Sequence, residues 1–268
     1  MRLPCALAAV TLALAACGGG GDSGSDGGPG VQPPAPVLVN PALAMQGFWS
    51  GAVTTAPDGA TRSSAVVMPD GTAWVVFETA TATTAVAKIA LTGTAVNETD
   101  ATAAGSGNYY RLPTATQAST RSAASASATA STKGTFAGSI TVTGNAATGF
   151  NWASVAGFTT QSLAADVVGT WNGSAGGSAV QVSWGILSTG ALTGNSSTGC
   201  TYSGTLKPSA GTAVYDLVVA EDCAGTVRNM TGIATLSSTS ASTSKNSLRV
   251  VFTADANATG GLFALTKQ

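Results

Sequence analysis

The side chains that can do chemistry in this chain are few, and histidine is absent. The 268 residues contain 11 Lys+Arg, 12 Asp+Glu and no His. Without histidine, a chain cannot form a Ser-His-Asp or Cys-His catalytic arrangement or a histidine-ligated metal site. General acid–base catalysis would then depend on paired carboxylates, lysine or tyrosine.

Two acidic pairs come nearest to such a site, Glu98 with Asp100 and Glu221 with Asp222. A glycosidase holds two carboxylates about 5–10 Å apart across its sugar. No motif around either pair indicates that arrangement, so a carboxylate-based hydrolase is the least favoured hypothesis. We expect a chain that is not an enzyme, with no catalytic residues, no metal site and no cofactor.

A possible binding site lies in the segment Asn108–Arg111, where Tyr109 and Tyr110 are adjacent and Arg111 follows. Neighbouring residues of a strand point to opposite faces, so we expect one of the two rings to be exposed. An exposed tyrosine beside an arginine is typical of protein or glycan contacts. Between the two interpretations, we favour packing at a strand edge over such a contact.

The charge balance excludes one class of partner. The formal net charge is −1, and only 9% of the residues are charged. A protein that binds nucleic acid needs a basic face to neutralise phosphates. We therefore expect no nucleic-acid partner.

The N-terminus has the pattern of an export signal, which we place at residues 1–16. Arg2 is followed by an apolar run from Leu3 to Ala16, too short for a bilayer, which takes about 20 residues. The run ends in Leu14–Cys17 (LAAC), which resembles the lipobox of bacterial lipoproteins.

The lipobox resemblance implies cleavage before Cys17 and lipidation of that cysteine. Two or more acyl chains anchor a protein stably to a membrane. In lipoproteins an Asp after the cysteine favours inner-membrane retention, and here that residue is Gly18. The resemblance therefore implies a membrane partner through the lipid and an outer-membrane location, with the leaflet left open.

A linker follows the cysteine. Residues 17–39 are rich in Gly, Ser and Asp, then in Pro. Such a composition buries too little apolar surface to offset the entropy of ordering. We expect a disordered, flexible tether.

Two cysteines remain to pair with each other, since Cys5 lies in the signal and the lipobox resemblance implies a lipid on Cys17. Cys200 and Cys223 would lie near the open end of a hairpin that turns at Pro208–Gly211. Paired cysteines in exported proteins normally form a disulfide. We predict that bond, with a reactive thiol pair as the alternative.

An internal repeat divides the chain. Gly47–Gly51 (GFWSG) recurs 122 residues later as Gly169–Gly173 (GTWNG). Asn40 and Ser162, both helix N-cap types, stand seven residues before each first glycine. We predict a short helical turn before each Trp-bearing strand, and a core role for Gly47, Trp49, Gly51, Gly169, Trp171 and Gly173.

The Gly-x-Trp element of each repeat also resembles the lipocalin signature. In lipocalins that Trp packs across the base of the barrel. The resemblance implies a ligand cup at the opposite end of the barrel.

The rest of the chain is typical of β structure. Apolar residues alternate with polar ones over Val180–Ile186, Tyr215–Val219 and Leu248–Phe252. An Asp-Gly turn joins apolar runs at Val66–Phe77, a strong hairpin signal. We predict an all-β chain with two tandem small antiparallel β-barrel (or sandwich) domains, at residues 40–160 and 161–268, after the disordered tether.

Three weaker patterns complete the prediction. Thr135–Ser139 (TFAGS) resembles Thr201–Thr205 (TYSGT), which we interpret as a second echo of the duplication. The Ala/Ser/Thr-rich segment Thr114–Thr132 is expected to form two thinly packed strands. Residues 237–246 are expected to form an exposed hairpin loop.

The mature chain also resembles a group of two-domain lipoproteins of Gram-negative bacteria. The shared elements are Gly47–Gly51, Pro69–Trp74, Gly199–Gly204 with the later Cys223, and Leu262–Lys267. This resemblance supports an envelope location and the disulfide, and it implies no activity.

Together these features predict a lipoprotein anchored to the outer membrane with a non-catalytic binding role. The partner is a protein, a glycan or a small apolar ligand. A structural or envelope-assembly role facing the periplasm is the alternative.

Overall fold

The computed structural model describes residues 37–114, 116–176, 179–238 and 244–268. The predicted signal peptide, Cys17 and the linker up to residue 36 lie outside the described residues. None of the helices within the described ranges has the length and apolar character needed to cross a bilayer.

Within the described residues, sixteen strands form two closed barrels of eight strands each. The first barrel consists of β1 (Gly47–Thr54), β2 (Arg62–Val67), β3 (Thr72–Glu78), β4 (Thr83–Ala95), β5 (Asp100–Arg111), β6 (Thr120–Ser131), β7 (Thr135–Val142) and β8 (Ala147–Val155). The second consists of β9 (Gly169–Ala175), β10 (Gln181–Ile186), β11 (Ala191–Ser196), β12 (Thr201–Pro208), β13 (Val214–Cys223), β14 (Thr226–Ser238), β15 (Lys245–Ala254) and β16 (Thr259–Lys267).

Within each barrel, strands that follow one another in sequence pair antiparallel, and the first strand pairs with the last. Closure leaves no unpaired strand edge. The all-β prediction is confirmed, and the architecture is the barrel rather than the sandwich.

Each barrel is filled by its own side chains. Residues that alternate along the strands point inward and form one apolar core per barrel. The predicted alternation of Val182, Trp184 and Ile186 places all three side chains in the second core. The interior of an eight-stranded barrel is just wide enough for side chains to fill it.

A short helix precedes the first strand of each barrel. These are α1 (Pro41–Met45) and α2 (Ala164–Val167). The Trp49 indole Nε1 donates to the Met45 carbonyl at 2.8 Å, and the Trp171 Nε1 donates to the Val167 carbonyl at 2.7 Å. Each helix is thereby joined to the tryptophan at one end of its barrel.

The two helices differ in how they begin. Asn40 caps α1 and accepts a hydrogen bond from the Ala42 amide. The prediction that Ser162 caps α2 is wrong, because the Ser162 hydroxyl donates to the Val214 carbonyl instead. The residue at that N-cap is Leu163.

The low-complexity segment forms one strand rather than the predicted two. β6 pairs along its whole length with β5. Its inward-facing alanines, among them Ala124 and Ala130, are small. The core beside them contains the large rings of Phe136, Phe150 and Trp152.

Two further sequence interpretations need correction. Thr135–Ser139 begins β7, the seventh strand of its barrel, whereas Thr201–Thr205 begins β12, the fourth strand of the other barrel. These segments are therefore not equivalent copies. The strands β14 and β15 also extend into the ends of the predicted loop at 237–246, and residues 239–243 of that loop lie outside the described residues.

The barrels lie side by side and share a third apolar cluster. Trp74, Val76 and Tyr110 of the first barrel pack against a patch of the second that comprises Val214, Ile233, Val251 and Leu262. This contact explains why the sequences of β3 and β15 contain continuous apolar runs. β3 and β15 are buried on both faces where the barrels meet.

Polar contacts surround the shared cluster. The Tyr110 hydroxyl donates to the Asn257 carbonyl at 2.9 Å. Lys88 lies over the Trp74 ring, 5.0 Å from its centroid, and donates to the Asn257 side chain. Arg249 forms an ion pair with Glu78 across the interface. Hydrogen bonds and charge thus link the barrels in addition to apolar contact.

Candidate functional site in the mouth of the second barrel

The second barrel has a cavity at the end opposite α2. Its volume is about 460 Å³, within the range of about 300–1,000 Å³ that is usual for small-molecule sites. The strands β12 and β14 begin at this end, and β9 and β13 finish here. The cavity is therefore the mouth of the barrel.

Most of the cavity wall is apolar. Val180, Phe252, Leu262 and Phe263 line it. The rings of Phe252 and Phe263 stack with centroids 4.9 Å apart. Such a wall favours a ligand with an apolar body.

The first barrel completes one side of the mouth. Leu112, Pro113 and Ser119 come from the segment between β5 and β6, and all three line the cavity. Leu112 is itself buried in the cluster shared by the barrels. The site is thus built from both halves of the chain.

Three polar side chains form a row on the inner face of the barrel at the mouth. Tyr202 is directly opposite Glu221 in the β12–β13 ladder, and Glu221 is directly opposite Arg228 in the β13–β14 ladder. The Tyr202 hydroxyl donates to Glu221 Oε1 at 2.7 Å. Arg228 forms an ion pair with Glu221 Oε2. Each oxygen of the carboxylate is therefore paired.

The surroundings keep Tyr202 protonated. Burial, and then the hydrogen bond to Glu221, raises the pKa of Tyr202 well above its ordinary value. Glu221 itself is only 7% exposed. A buried carboxylate is tolerated when it is paired and hydrogen-bonded, and this cluster supplies both conditions.

Two polar atoms of lining residues have no hydrogen-bond partner among the residues that the structure describes. These are Arg228 Nε and Thr259 Oγ1, both shielded from solvent. Buried polar atoms in folded proteins nearly always have a partner. Since both atoms are shielded, neither one faces the open cavity.

A disulfide joins Cys200 to Cys223 at the rim of the mouth. Since Thr201 pairs with Asp222, these cysteines continue the same ladder one step further. The sequence predicts this bond. The Cys200, Glu221 and Cys223 ligand atoms lie within 4.8 Å of one another, but the bonded sulfurs are not thiolates that could bind a metal.

Both tyrosines of the predicted binding segment Asn108–Arg111 are buried. Tyr109 and Tyr110 do point to opposite faces, but the prediction that one ring is exposed is wrong. Tyr109 lies in the core of the first barrel, and Tyr110 is 1% exposed in the cluster between the barrels. The second barrel covers the outer face of β5 at Tyr110, which the local sequence cannot reveal.

Arg111 is close to Tyr109 near the end of β5. Burial, followed by the nearby Asp58 carboxylate, raises the pKa of Tyr109 above its ordinary value, and Arg111 opposes that shift. This polar group lies inside the first barrel. Tyr109, Tyr110 and Arg111 thus do not form one surface.

The acidic pairs singled out from the sequence do not converge. Glu221 points into the second barrel, whereas Asp222 accepts a hydrogen bond from the Gly225 amide in the adjoining turn. In the first barrel, the Asp100 carboxylate accepts from the Asn97 side chain at 2.8 Å, and Glu98 is exposed.

Sequence reasoning missed the Tyr202–Glu221–Arg228 cluster. The available signal was the spacing to the cysteines, because Tyr202 follows Cys200 by two residues and Glu221 precedes Cys223 by two. Residues two apart share a strand face. A disulfide between the cysteines therefore implies that Tyr202 faces Glu221. Arg228 carried no comparable signal.

No protein-family model matches the sequence, and no curated protein matches it. Among solved structures, the chain is similar to a crystal structure of a candidate outer membrane protein from Bacteroides fragilis NCTC 9343. The two share 15% sequence identity and superpose with a TM-score of 0.30, over 86% of this chain and 100% of the other. Neither the fold nor the site is inferred from this likeness.

Proposed function

We propose that this protein is a lipid-anchored, non-catalytic binding protein of the bacterial envelope, and that the mouth of its second barrel holds a small, largely apolar ligand. The observation that carries the proposal is the cavity of about 460 Å³ with Phe252 and Phe263 in its wall. Among the three partner classes considered from the sequence, this geometry favours the small apolar ligand.

The envelope location is supported by the sequence. The segment Leu14–Cys17 resembles a lipobox, and a paired Cys200–Cys223 suits an exported protein. Substituting Cys17→Ser should move the protein from the membrane fraction to the soluble fraction of the cell. Membrane retention of that variant would contradict the anchor.

Ligand binding can be tested with Nile red, an uncharged apolar dye whose fluorescence rises on leaving water. The purified protein should bind it saturably at one site per chain. Val180→Trp places a large ring in the cavity wall and should weaken binding by about tenfold or more, equivalent to about 1.4 kcal/mol.

The matched control is Val218→Trp. Val218 is on the outer wall of the second barrel and is 59% exposed, so this variant should bind the dye like the wild type. Equal binding by the Val180 variant, or binding that never saturates, would refute a ligand site in the mouth.

A further inference from the structure

The polar cluster in the mouth carries no net charge. Arg228 is the only cationic side chain among the described residues that line the cavity, and Glu221 is the only anionic one. They form an ion pair with each other. Their charges therefore cancel within the wall.

The same wall nevertheless has unused hydrogen-bonding capacity. Arg228 lines the cavity, its guanidinium contacts Glu221 through one nitrogen, and its side chain is 36% exposed. An arginine has five N–H donors in its guanidinium and no acceptor. What the Arg228 side of the cavity lacks is thus an acceptor oxygen.

From these two observations we propose that the ligand is an uncharged amphiphile, with an apolar body and an uncharged acceptor oxygen such as an ester or ketone carbonyl. The apolar body lies against Phe252 and Phe263. The carbonyl oxygen accepts from Arg228. This inference rests on the proposed function and names the ligand class for that site.

Glu221 is what selects against anions. A ligand carboxylate at Arg228 would lie beside the Glu221 carboxylate, and one guanidinium cannot neutralise two carboxylates. One negative charge would then remain in a largely apolar cavity, which is costly. A cationic ligand would be repelled by Arg228, and Glu221 is already paired with Arg228 and does not offset that repulsion. A cationic ligand is therefore disfavoured as well.

The test compares two probes with the same twelve-carbon acyl chain, methyl dodecanoate and dodecanoate, as competitors of Nile red at neutral pH. For the wild type, the uncharged ester should displace the dye at a concentration at least about tenfold lower than the acid. Glu221→Gln leaves the Arg228 charge uncompensated, so this variant should reverse or abolish that preference. The control is Glu98→Gln, which removes an exposed carboxylate at a turn of the first barrel and should leave the ratio unchanged.

The possible results separate this inference from the proposed function. If Nile red does not bind, the proposed function fails. If the dye binds but the wild type takes the acid as well as the ester, or takes neither, the neutral-ligand inference is overturned while the site stands. An unchanged ratio in a folded Glu221→Gln variant also overturns it, and if that variant does not fold, the wild-type ratio alone decides.

Discussion

Among single residues, the glycines of the repeat are required where the backbone of a neighbouring strand approaches closely or where φ is positive. A Cβ added to Gly173 would lie 1.9 Å from the Ala264 carbonyl oxygen, and one added to Gly51 would lie 2.1 Å from the Asn151 carbonyl oxygen. Gly47 and Gly169 have φ values of 147° and 129°, which other residues rarely adopt. The repeat is therefore a structural device at the point where the first strand closes each barrel.

Gly173→Ala should destabilise the protein by about 1–3 kcal/mol or more, because the backbone of β16 must move to admit a methyl group. The matched control is Gly185→Ala in β10, where the nearest atoms to an added Cβ are 3.9 Å away. Urea denaturation measures both. Equal midpoints for the two variants would show that the close approach at Gly173 is unimportant.

At the scale of elements, the β12–β13 hairpin presents the polar cluster. The disulfide closes the end of this hairpin that lies farthest from its turn, and it holds the two strands together beside the pair Tyr202 and Glu221. The disulfide and the Tyr202–Glu221 pair belong to the same β12–β13 ladder. The disulfide therefore also fixes the strand register on which the Tyr202–Glu221 hydrogen bond depends.

Removing the disulfide with the double substitution Cys200→Ser and Cys223→Ser should cost about 3–4 kcal/mol for a cross-link between residues 23 apart. Hydrogen exchange should accelerate first in β12 and β13, with β6 and β7 of the other barrel as the internal reference. A reducing agent should accelerate the exchange of β12 and β13 in the wild type in the same way. It should leave the exchange of the double variant unchanged. Unaltered exchange in the hairpin would contradict a bracing role.

At the scale of the whole molecule, the two barrels depend on each other. Each contributes large apolar side chains to the shared cluster, including Trp74 from one and Ile233 from the other. Burial of one such side chain stabilises by about 1.5–3 kcal/mol. Leu112, which is buried in this interface, also lines the ligand cavity. The arrangement of the two barrels therefore determines part of the cavity wall.

We expect the two barrels to unfold in a single transition in urea. Ile233→Lys places a charge in the interface, where Ile233 is 4% exposed, and should separate unfolding into two transitions. Val218→Lys, on the exposed wall of the same barrel, is the control and should keep one transition. Two transitions in the wild type would mean that the barrels are thermodynamically independent.

Local sequence patterns specified the strands and turns that depend on neighbouring residues. Alternation with a period of two specified strands such as β10 and β13, and the Asp70–Gly71 turn specified the hairpin between β2 and β3. The repeated glycines and tryptophans marked the first strand of each barrel. These signals are local because side-chain direction and turn geometry are properties of a few consecutive residues.

Which surfaces are covered, and where a cavity remains, depends on the packing of the folded chain. Tyr110 is buried because the second barrel packs against this end of β5, and Arg228 contacts Glu221 because β13 and β14 pair in that register. The mouth itself combines residues from the segment after β5 with residues of β12 to β16. Burial and cavity formation depend on contacts between residues far apart in the chain, and no local pattern encodes such contacts.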